Sequence, residues 1–134
     1  MTLLIVDDHA QTREIMKTMF ADLFDEIYEC SNGAEALVSY ARHHQDWTLM
    51  DIEMPVCDGI AATLHIKANF PDARIIILTA HDSAGLRKAA SEAGAHAYVL
   101  KDDLSTVRVV LNGIDKRKQN ETVSKAISIV GDDD

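Results

Sequence analysis

Five polar side chains follow directly after short apolar runs of the sequence: Asp7, Asp8, Asp51, Thr79 and Lys101. Taken singly, each has an ordinary structural explanation, because aspartate and threonine cap helices or open turns and lysine side chains are commonly solvated. Brought together, three carboxylates about 5 Å apart would repel one another by roughly 3 kcal/mol per pair at an effective dielectric constant of about 20. One lysine does not neutralise three such charges. The set therefore predicts a divalent cation with oxygen ligands, Mg²⁺ for preference and Mn²⁺ as the alternative.

These side chains can meet only if the elements that precede them lie side by side. Short apolar runs, which are typical of buried strands, alternate with stretches in which apolar residues recur with helical period. The strands are predicted at residues 3–6, 26–30, 47–50, 74–79 and 97–100. A helix is predicted after each strand, and the apolar residues expected on the first two are Ile15, Met16, Met19, Phe20 and Leu23, then Ala34, Leu37, Val38 and Ala41.

Five such β-α units predict an α/β fold. The expected architecture is a flavodoxin-like, doubly wound, five-stranded parallel sheet of strand order 2-1-3-4-5 with five helices. A closed eight-stranded barrel would need more units. Ligands of an open sheet of this kind bind beyond the carboxyl ends of its strands. Since all five polar side chains follow predicted strands, the fold would bring them to one edge.

Length and charge exclude several classes of function. The chain has 134 residues, with 22 acidic and 13 basic side chains and a formal net charge of −9. This length predicts one domain, and the acidic surplus argues against direct binding to nucleic acid or to an anionic membrane. No apolar run approaches the length of about 18 residues that a membrane span needs. Cys30 and Cys57 form no CxxC motif and follow no secretory leader, which favours reduced thiols in a cytoplasmic protein.

The turn after the first predicted strand argues against nucleotide cofactors. Residues 7–12 include no glycine, whereas nucleotide sites need a glycine- or hydroxyl-rich loop whose N–H groups bind phosphate. Zinc finds no support either, because a zinc site needs several clustered Cys or His ligands. His43 and His44 are adjacent on a predicted helix and point to different sides of it, and the other four histidines are scattered along the chain.

Four motifs occur in order along the chain. They are Val6-Asp7-Asp8, a D-I-E-M-P-x-x-D-G stretch within residues 49–59, Leu78-Thr79-Ala80, and an A-G-A segment that leads to Y-V-L-K at residues 98–101. In these motifs the sequence resembles the receiver domain of two-component response regulators. The resemblance covers about residues 2–118, so a receiver domain is expected over residues 1–118, and residues 119–134 are expected to form a C-terminal tail or to extend the last helix.

The resemblance implies a phosphoacceptor and a metal site. Asp51 would accept a phosphoryl group from a phosphohistidine on a sensor histidine kinase or a histidine phosphotransfer protein. Asp7, Asp8 and Asp51, with the backbone carbonyl of Glu53, would hold Mg²⁺. Such a protein is not an enzyme in the usual sense, since it catalyses only its own phosphorylation and dephosphorylation.

The resemblance also implies a switch that phosphorylation sets. Lys101 would pair with a phosphoryl oxygen, Thr79 would donate its hydroxyl group to the phosphoryl group, and Ala80 would belong to the same phosphate-binding segment. Tyr98 would turn inward as Thr79 moves, although an ordinary strand-edge aromatic explains Tyr98 equally well on the sequence alone. The resulting change is expected on the face of the fourth helix, fifth strand and fifth helix, where a downstream protein or a second copy would bind.

Three functions stay open at this point. The first is a phosphorylation-switched module that binds a protein. The second is the regulatory domain of a transcription factor, because Lys101-Asp102 is typical of receivers that precede a helix-turn-helix domain. The third is a metal-dependent phosphatase with an aspartate nucleophile, suggested by Asp51-Ile52-Glu53. The third has least support, since that acidic pair normally follows the first strand and no cap region is present.

Overall fold

The computed structural model describes residues 1–113 and contains every predicted element in the predicted order. The strands are β1 (Thr2–Val6), β2 (Glu26–Cys30), β3 (Trp47–Met50), β4 (Ile75–Thr79) and β5 (Ala97–Leu100). The helices are α1 (Ala10–Phe20), α2 (Gly33–His43), α3 (Gly59–Asn69), α4 (Ala84–Ala93) and α5 (Leu104–Gly113). The strands form one parallel sheet in the order β2-β1-β3-β4-β5, which confirms the predicted fold. The predicted boundary at residue 118 and the predicted tail lie outside the described residues.

The middle strands of the sheet are buried on both faces. All residues of β3 and β4 are buried, and so are residues 3–6 of β1. Because helices cover both faces of a parallel sheet, residues that point to either face are buried. The strand sequences are therefore mostly continuous apolar runs and do not alternate between apolar and polar residues. The register places Val6 of β1 opposite Met50 of β3. Asp7 and Asp51, the next residue in each chain segment, therefore leave the sheet at the same level.

Capping side chains fix the points at which three helices begin. Asn32, Asp58 and Ser83 accept hydrogen bonds from backbone N–H groups in the first turns of α2, α3 and α4, and these N–H groups have no partner within the helix. Helix α4 ends at Gly94 with a φ of 99°, a conformation that glycine adopts without steric cost. Helix α1 differs, because the side chain of His9 at its N-cap makes no capping bond.

No helix within residues 1–113 is long and apolar enough to cross a membrane. Cys30 and Cys57 are free, as predicted. Burial raises the pKa of the Cys30 thiol to about 11, and burial also raises the pKa of Cys57. Both thiols are therefore protonated at neutral pH, and neither is activated as a nucleophile.

His96 lies just before β5 and is partly buried. Its ring meets that of Trp47 edge-on, with centroids 5.0 Å apart, and its buried Nε2 has no hydrogen-bond partner among residues 1–113. Burial, followed by the charges of Arg74 and Lys67, holds the pKa of His96 below its usual value. Because the unfolded chain then takes up this proton at a higher pH than the folded chain, His96 should destabilise the fold as the pH falls below about 6.5.

We therefore expect His96→Phe, which keeps an aromatic ring against Trp47, to reduce the loss of stability between about pH 8 and pH 5. The free energy of unfolding would be measured by urea denaturation at both pH values. The exposed His65, replaced by glutamine, is the control and should leave the pH dependence unchanged. Equal losses in the wild type and in His96→Phe would show that His96 does not contribute.

Candidate functional site

The carboxyl ends of β1 and β3 bring two aspartates together in the interior. The backbone N–H of Asp51 donates to the carbonyl of Val6 over 2.9 Å, which ties the end of β3 to the end of β1. Asp7 is 0% exposed and Asp51 is 6% exposed. Asp8, the next residue after Asp7, is exposed. Two buried carboxylates and one exposed carboxylate thus lie at the edge where the sequence predicted them.

Lys101 reaches both buried carboxylates from the end of β5. Its Nζ lies 2.9 Å from Asp7 Oδ2 and 3.2 Å from Asp51 Oδ1. Burial lowers the pKa of Lys101, but the hydrogen bond to Asp7 and the charges of Asp51 and Asp7 outweigh burial and raise the pKa above its usual value. Lys101 is therefore charged at neutral pH and binds the two aspartates together across the sheet.

The two oxygens of the Asp51 carboxylate have different surroundings. Oδ1 accepts a hydrogen bond from the backbone N–H of Ile52 at 2.9 Å and pairs with Lys101. Within residues 1–113, no hydrogen bond or ion pair involves Oδ2. Burial and then the charge of Asp7 raise the pKa of Asp51, against the opposing effects of Lys101 and the Ile52 N–H. The carboxylate thus has one oxygen held in place and one oxygen without a hydrogen bond or ion pair among residues 1–113.

The same carboxylates have the arrangement of a cation site. One potential ligand atom from each of Asp7, Asp8, His9 and Asp51 lies within 4.8 Å of the other three. Three of the four ligands are carboxylate oxygens, the type that Mg²⁺ and Mn²⁺ prefer. A single lysine leaves this acidic group undercompensated, so the donor set fits a divalent cation. The backbone carbonyl of Glu53 as a further ligand stays a prediction, and the exposed Glu53 side chain pairs with His81.

His9 is the member of this group that the sequence argument missed. The histidines are scattered along the sequence, apart from the adjacent His43 and His44, yet the fold places the ring of His9 beside the aspartates. Its Nδ1 is 3.3 Å from Asp7 Oδ1 and 3.1 Å from Asp8 Oδ1. Its position directly after Asp7-Asp8 at a strand end was the available signal, but the direction of the ring depends on the turn that follows β1.

Thr79 and Ala80 stand at the end of β4, next to Lys101. The Thr79 side chain is buried, its Oγ1 accepts a hydrogen bond from the backbone N–H of His81 at 3.2 Å, and its carbonyl accepts one from the backbone N–H of Lys101 at 2.8 Å. Ala80 is exposed and lines a cavity of about 350 Å³ with Leu100, Lys101 and Asp102. Two of the predicted phosphate-binding residues, Ala80 and Lys101, therefore line the same open space.

Tyr98 lies inside the protein rather than at its surface. It is 0% exposed, its hydroxyl group donates to the backbone carbonyl of His81 over 2.6 Å, and the Arg87 guanidinium lies 4.8 Å from the centre of its ring. His81 thus contacts Thr79 through its N–H and Tyr98 through its carbonyl. The backbone of His81 therefore connects the end of β4 to β5. The switch role of Tyr98 stays a prediction.

Comparison with known proteins agrees with this geometry. The protein-family model for the response regulator receiver domain matches residues 3–112 of this chain. The chemotaxis protein CheY of Halobacterium salinarum is 37% identical over 98 residues, which are 73% of this chain and 82% of that protein. The oxygen regulatory protein NreC of Staphylococcus carnosus is 32% identical, and the alignment covers 99% of this chain and 66% of NreC.

A solved structure shows the same fold. The crystal structure of the CheX–CheY–BeF₃–Mg²⁺ complex from Borrelia burgdorferi matches with a TM-score of 0.69 and 30% identity, over 75% of this chain and 77% of that chain. The relatives are of two kinds. The chain spans most of the length of the CheY proteins, but only about half the length of several transcriptional regulators. With a family match over residues 3–112 and the predicted sheet order, the chain belongs to the response regulator receiver domain family.

Proposed function

We propose that the protein receives a phosphoryl group on Asp51 from a phosphohistidine of a sensor histidine kinase or a histidine phosphotransfer protein, with Mg²⁺ as the cofactor. The observation that carries this proposal is the Asp51 carboxylate itself. Lys101 and the Ile52 N–H hold Oδ1, while Oδ2 is left without a partner among residues 1–113. A carboxylate that is oriented by one oxygen and free at the other is placed to act as a nucleophile.

These contacts support the following transfer step. Asp51 Oδ2 attacks the phosphorus atom, a P–O bond forms as the P–N bond of phosphohistidine breaks, and the electron pair of that bond returns to the imidazole. Lys101 lies close enough to compensate negative charge on the transferred group, which is most of what phosphoryl transfer requires of a protein. Asp7, Asp8 and Asp51, with the Glu53 carbonyl, would hold Mg²⁺, which would supply further neutralisation of that charge.

The proposed output is a change on the face formed by α4, β5 and α5. In this proposal the Thr79 side chain moves toward a phosphoryl group on Asp51 and donates its hydroxyl hydrogen bond to it, and this movement takes the hydroxyl oxygen away from the His81 N–H that it now accepts from. His81 in turn accepts the Tyr98 hydroxyl hydrogen bond. A chain of hydrogen bonds therefore leads from the site to β5, and added charge at one end can bias its arrangement. A downstream protein or a second copy of the chain would bind the altered face.

The regulatory domain of a transcription factor is the second candidate. The chain spans 66% of NreC and about half of other transcriptional regulators that it matches. In this case phosphorylation would promote pairing of receivers, and a separate domain would contact DNA. The family match favours either signalling role over the phosphatase alternative. The cytoplasmic location and the absence of direct nucleic-acid binding by this chain stay predictions.

Incubation with Mg²⁺ and acetyl phosphate tests the acceptor. We expect one phosphoryl group per chain by intact-mass spectrometry, no addition to Asp51→Asn, and no addition in the presence of EDTA. Asp72→Asn removes an exposed aspartate outside the acidic group and serves as the matched control, so it should be labelled like the wild type. Labelling of Asp51→Asn at the wild-type level would contradict the assignment of Asp51 as the phosphoacceptor.

A further inference from the structure

Helix α1 carries an apolar groove that no other described element covers. Ile15 is 58% exposed and Met19 is 40% exposed, and these side chains lie one turn apart on the same side of the helix. Among residues 1–113, α1 is the only helix with two large apolar side chains exposed. Two cavities of about 350 and 390 Å³ with mostly apolar walls meet at Ile15, and their linings also include Ala10, Gln11, Glu14 and Thr18. This α1 groove is separate from the side of the helix that faces the core, where Met16 and Phe20 are buried.

The sequence after the described residues contains a short amphipathic pattern. Apolar residues recur there at positions i, i+3, i+4 and i+7, the spacing of one helix face: Val123, Ala126, Ile127 and Val130. Asn120 precedes the pattern and Gly131 follows it, and these residue types are typical of the two ends of a helix. Glu121 and Lys125 are four residues apart on the opposite side, where they can pair in water. The sequence therefore predicts a helix over residues 121–130 with one apolar face.

A helix of this length and composition is not stable by itself. Isolated helices shorter than about 12–15 residues are marginal in water. Half of residues 121–130 are also β-branched, which lowers helix propensity: Thr122, Val123, Ile127, Ile129 and Val130. Most of the stability of a protein helix comes from packing of its apolar face. Residues 121–130 therefore need an apolar surface on which to fold.

The α1 groove lies within reach of this segment. Arg108 of α5 donates to the backbone carbonyl of Met19 over 3.1 Å and pairs with Asp22, so α5 lies beside the end of α1. Residues 114–120, which follow α5, can span up to about 23 Å when extended. The α1 groove, from Ala10 to Met19, is about 14 Å long at the helical rise of 1.5 Å per residue. The segment can therefore lie along the whole groove.

We propose that residues 121–130 fold into a helix that docks in the α1 groove of the same chain. Apolar side chains spaced three and four residues apart are the usual anchors of a helix that binds in a groove. The four anchors of this segment extend over two helical turns, and the two cavities extend over a similar length of α1. The short connection to α5 gives the segment a high effective concentration at the groove, which favours it over a second copy of the chain.

Docking would place a cover next to the proposed acceptor site. Helix α1 begins at Ala10, two residues after Asp8, so its exposed side adjoins the carboxylates. A phosphodonor protein that approached along α1 would have to displace residues 121–130. The docking itself does not depend on phosphorylation of Asp51, and it can be tested without a phosphodonor.

Disulfide trapping in the full chain tests the contact. The test variant combines Ile15→Cys and Ile127→Cys with Cys57→Ser, which removes a half-buried thiol. At low protein concentration and under mild oxidation we expect a disulfide within one chain, because the bond forms only where two Cβ atoms approach to about 4 Å. The control replaces Val38 instead of Ile15, since Val38 of α2 is also 58% exposed. The control should form its disulfide at least about tenfold more slowly, and equal rates would overturn the proposal.

Disulfides that join two chains and are absent within one would show that a second copy fills the groove, and they would overturn the proposal as well. Mass spectrometry of the oxidised protein under non-reducing conditions separates the two products.

A charge on the predicted apolar face gives a second measurement. Ile127→Asp should prevent docking, so it should lower the midpoint of urea unfolding and shift the methyl NMR resonances of Ile15 and Met19. Ser128→Asp places the same charge on the predicted solvent side and should leave both measurements at the wild-type values. The methyl resonances of Leu64, an exposed residue of α3, should not move in either variant. Unchanged resonances of Ile15 and Met19 in Ile127→Asp would contradict the docking.

Discussion

Gly59→Ala is expected to lower the free energy of unfolding by about 3 kcal/mol and to impair phosphorylation of Asp51 with it. A Cβ at position 59 would overlap the carbonyl oxygen of Asp51 and lie 2.8 Å from its carbonyl carbon. These are backbone atoms, so no side-chain rotation relieves the overlap. Gly59 is also tied to this loop by the hydrogen bond from its N–H to the carbonyl of Ile52, at 2.9 Å. The substitution must therefore displace the segment that carries the acceptor.

Gly85→Ala is the matched control for this experiment. Gly85 lies in α4, and a Cβ there would meet only Ser83 Oγ at 3.8 Å. Because alanine is the better helix former, this variant should be more stable than the wild type by about 0.5–1 kcal/mol. Urea unfolding measures both effects. Wild-type stability of Gly59→Ala would show that the loop moves aside at little cost.

Lys101→Met is expected to lower the free energy of unfolding by about 2–3 kcal/mol in the absence of divalent cations, because it leaves two buried carboxylates facing each other. The lysine side chain is 25% exposed, and the side chains of Asp7 and Asp51 are 1% and 7% exposed. Water therefore screens the lysine in part, which places the effect below that of a fully buried pair. Loss of the Lys101 charge should raise the pKa of Asp51 further, since that charge now lowers it.

The cation dependence separates this effect from simple loss of packing. Mg²⁺ should restore part of the stability of Lys101→Met, because a cation at the carboxylates replaces the missing charge. Lys88→Met, at an exposed position on α4, should unfold like the wild type with or without Mg²⁺. Unfolding curves in EDTA and in Mg²⁺ provide the comparison. If Lys101→Met had the same free energy of unfolding as the wild type in EDTA, the ion pairs of Lys101 with Asp7 and Asp51 would not contribute to stability.

The sheet could be predicted because its strands are buried on both faces. Residues 3–6 and 75–78 are continuous apolar runs, residues 47–50 are apolar except for the buried Thr48, and a polar residue follows each of these segments. Both the strand and its end are therefore visible in the sequence. Knowledge of the strand ends is enough to place Asp7, Asp51 and Lys101 at one edge. The contact of Lys101 with both aspartates was not predictable in the same way, because it depends on the course of one flexible side chain.

Helix faces were predicted less well than strands. Ile15 of α1 and Val38 of α2 are each 58% exposed, although both belong to the apolar residues expected on these helices. Helix α2 is instead buried at Gly33, Ala36 and Tyr40. A Cβ at Gly33 would lie 2.9 Å from Ala62 Cβ, so small residues allow α2 to approach α3 closely. An apolar pattern does not distinguish such a contact face from exposed apolar residues.

The ion pair between Lys101 and Asp7 joins residues that are 94 positions apart. During synthesis the ribosome therefore releases Asp7 and Asp51 well before it reaches Lys101, and a growing chain holds the acidic residues without their lysine. Contacts of such long range form late in folding, after the chain between them has been closed. If Asp51 is the phosphoacceptor as proposed, a nascent or prematurely terminated chain that lacks β5 would hold it without the lysine that compensates charge, and we expect such a chain to be a poor acceptor.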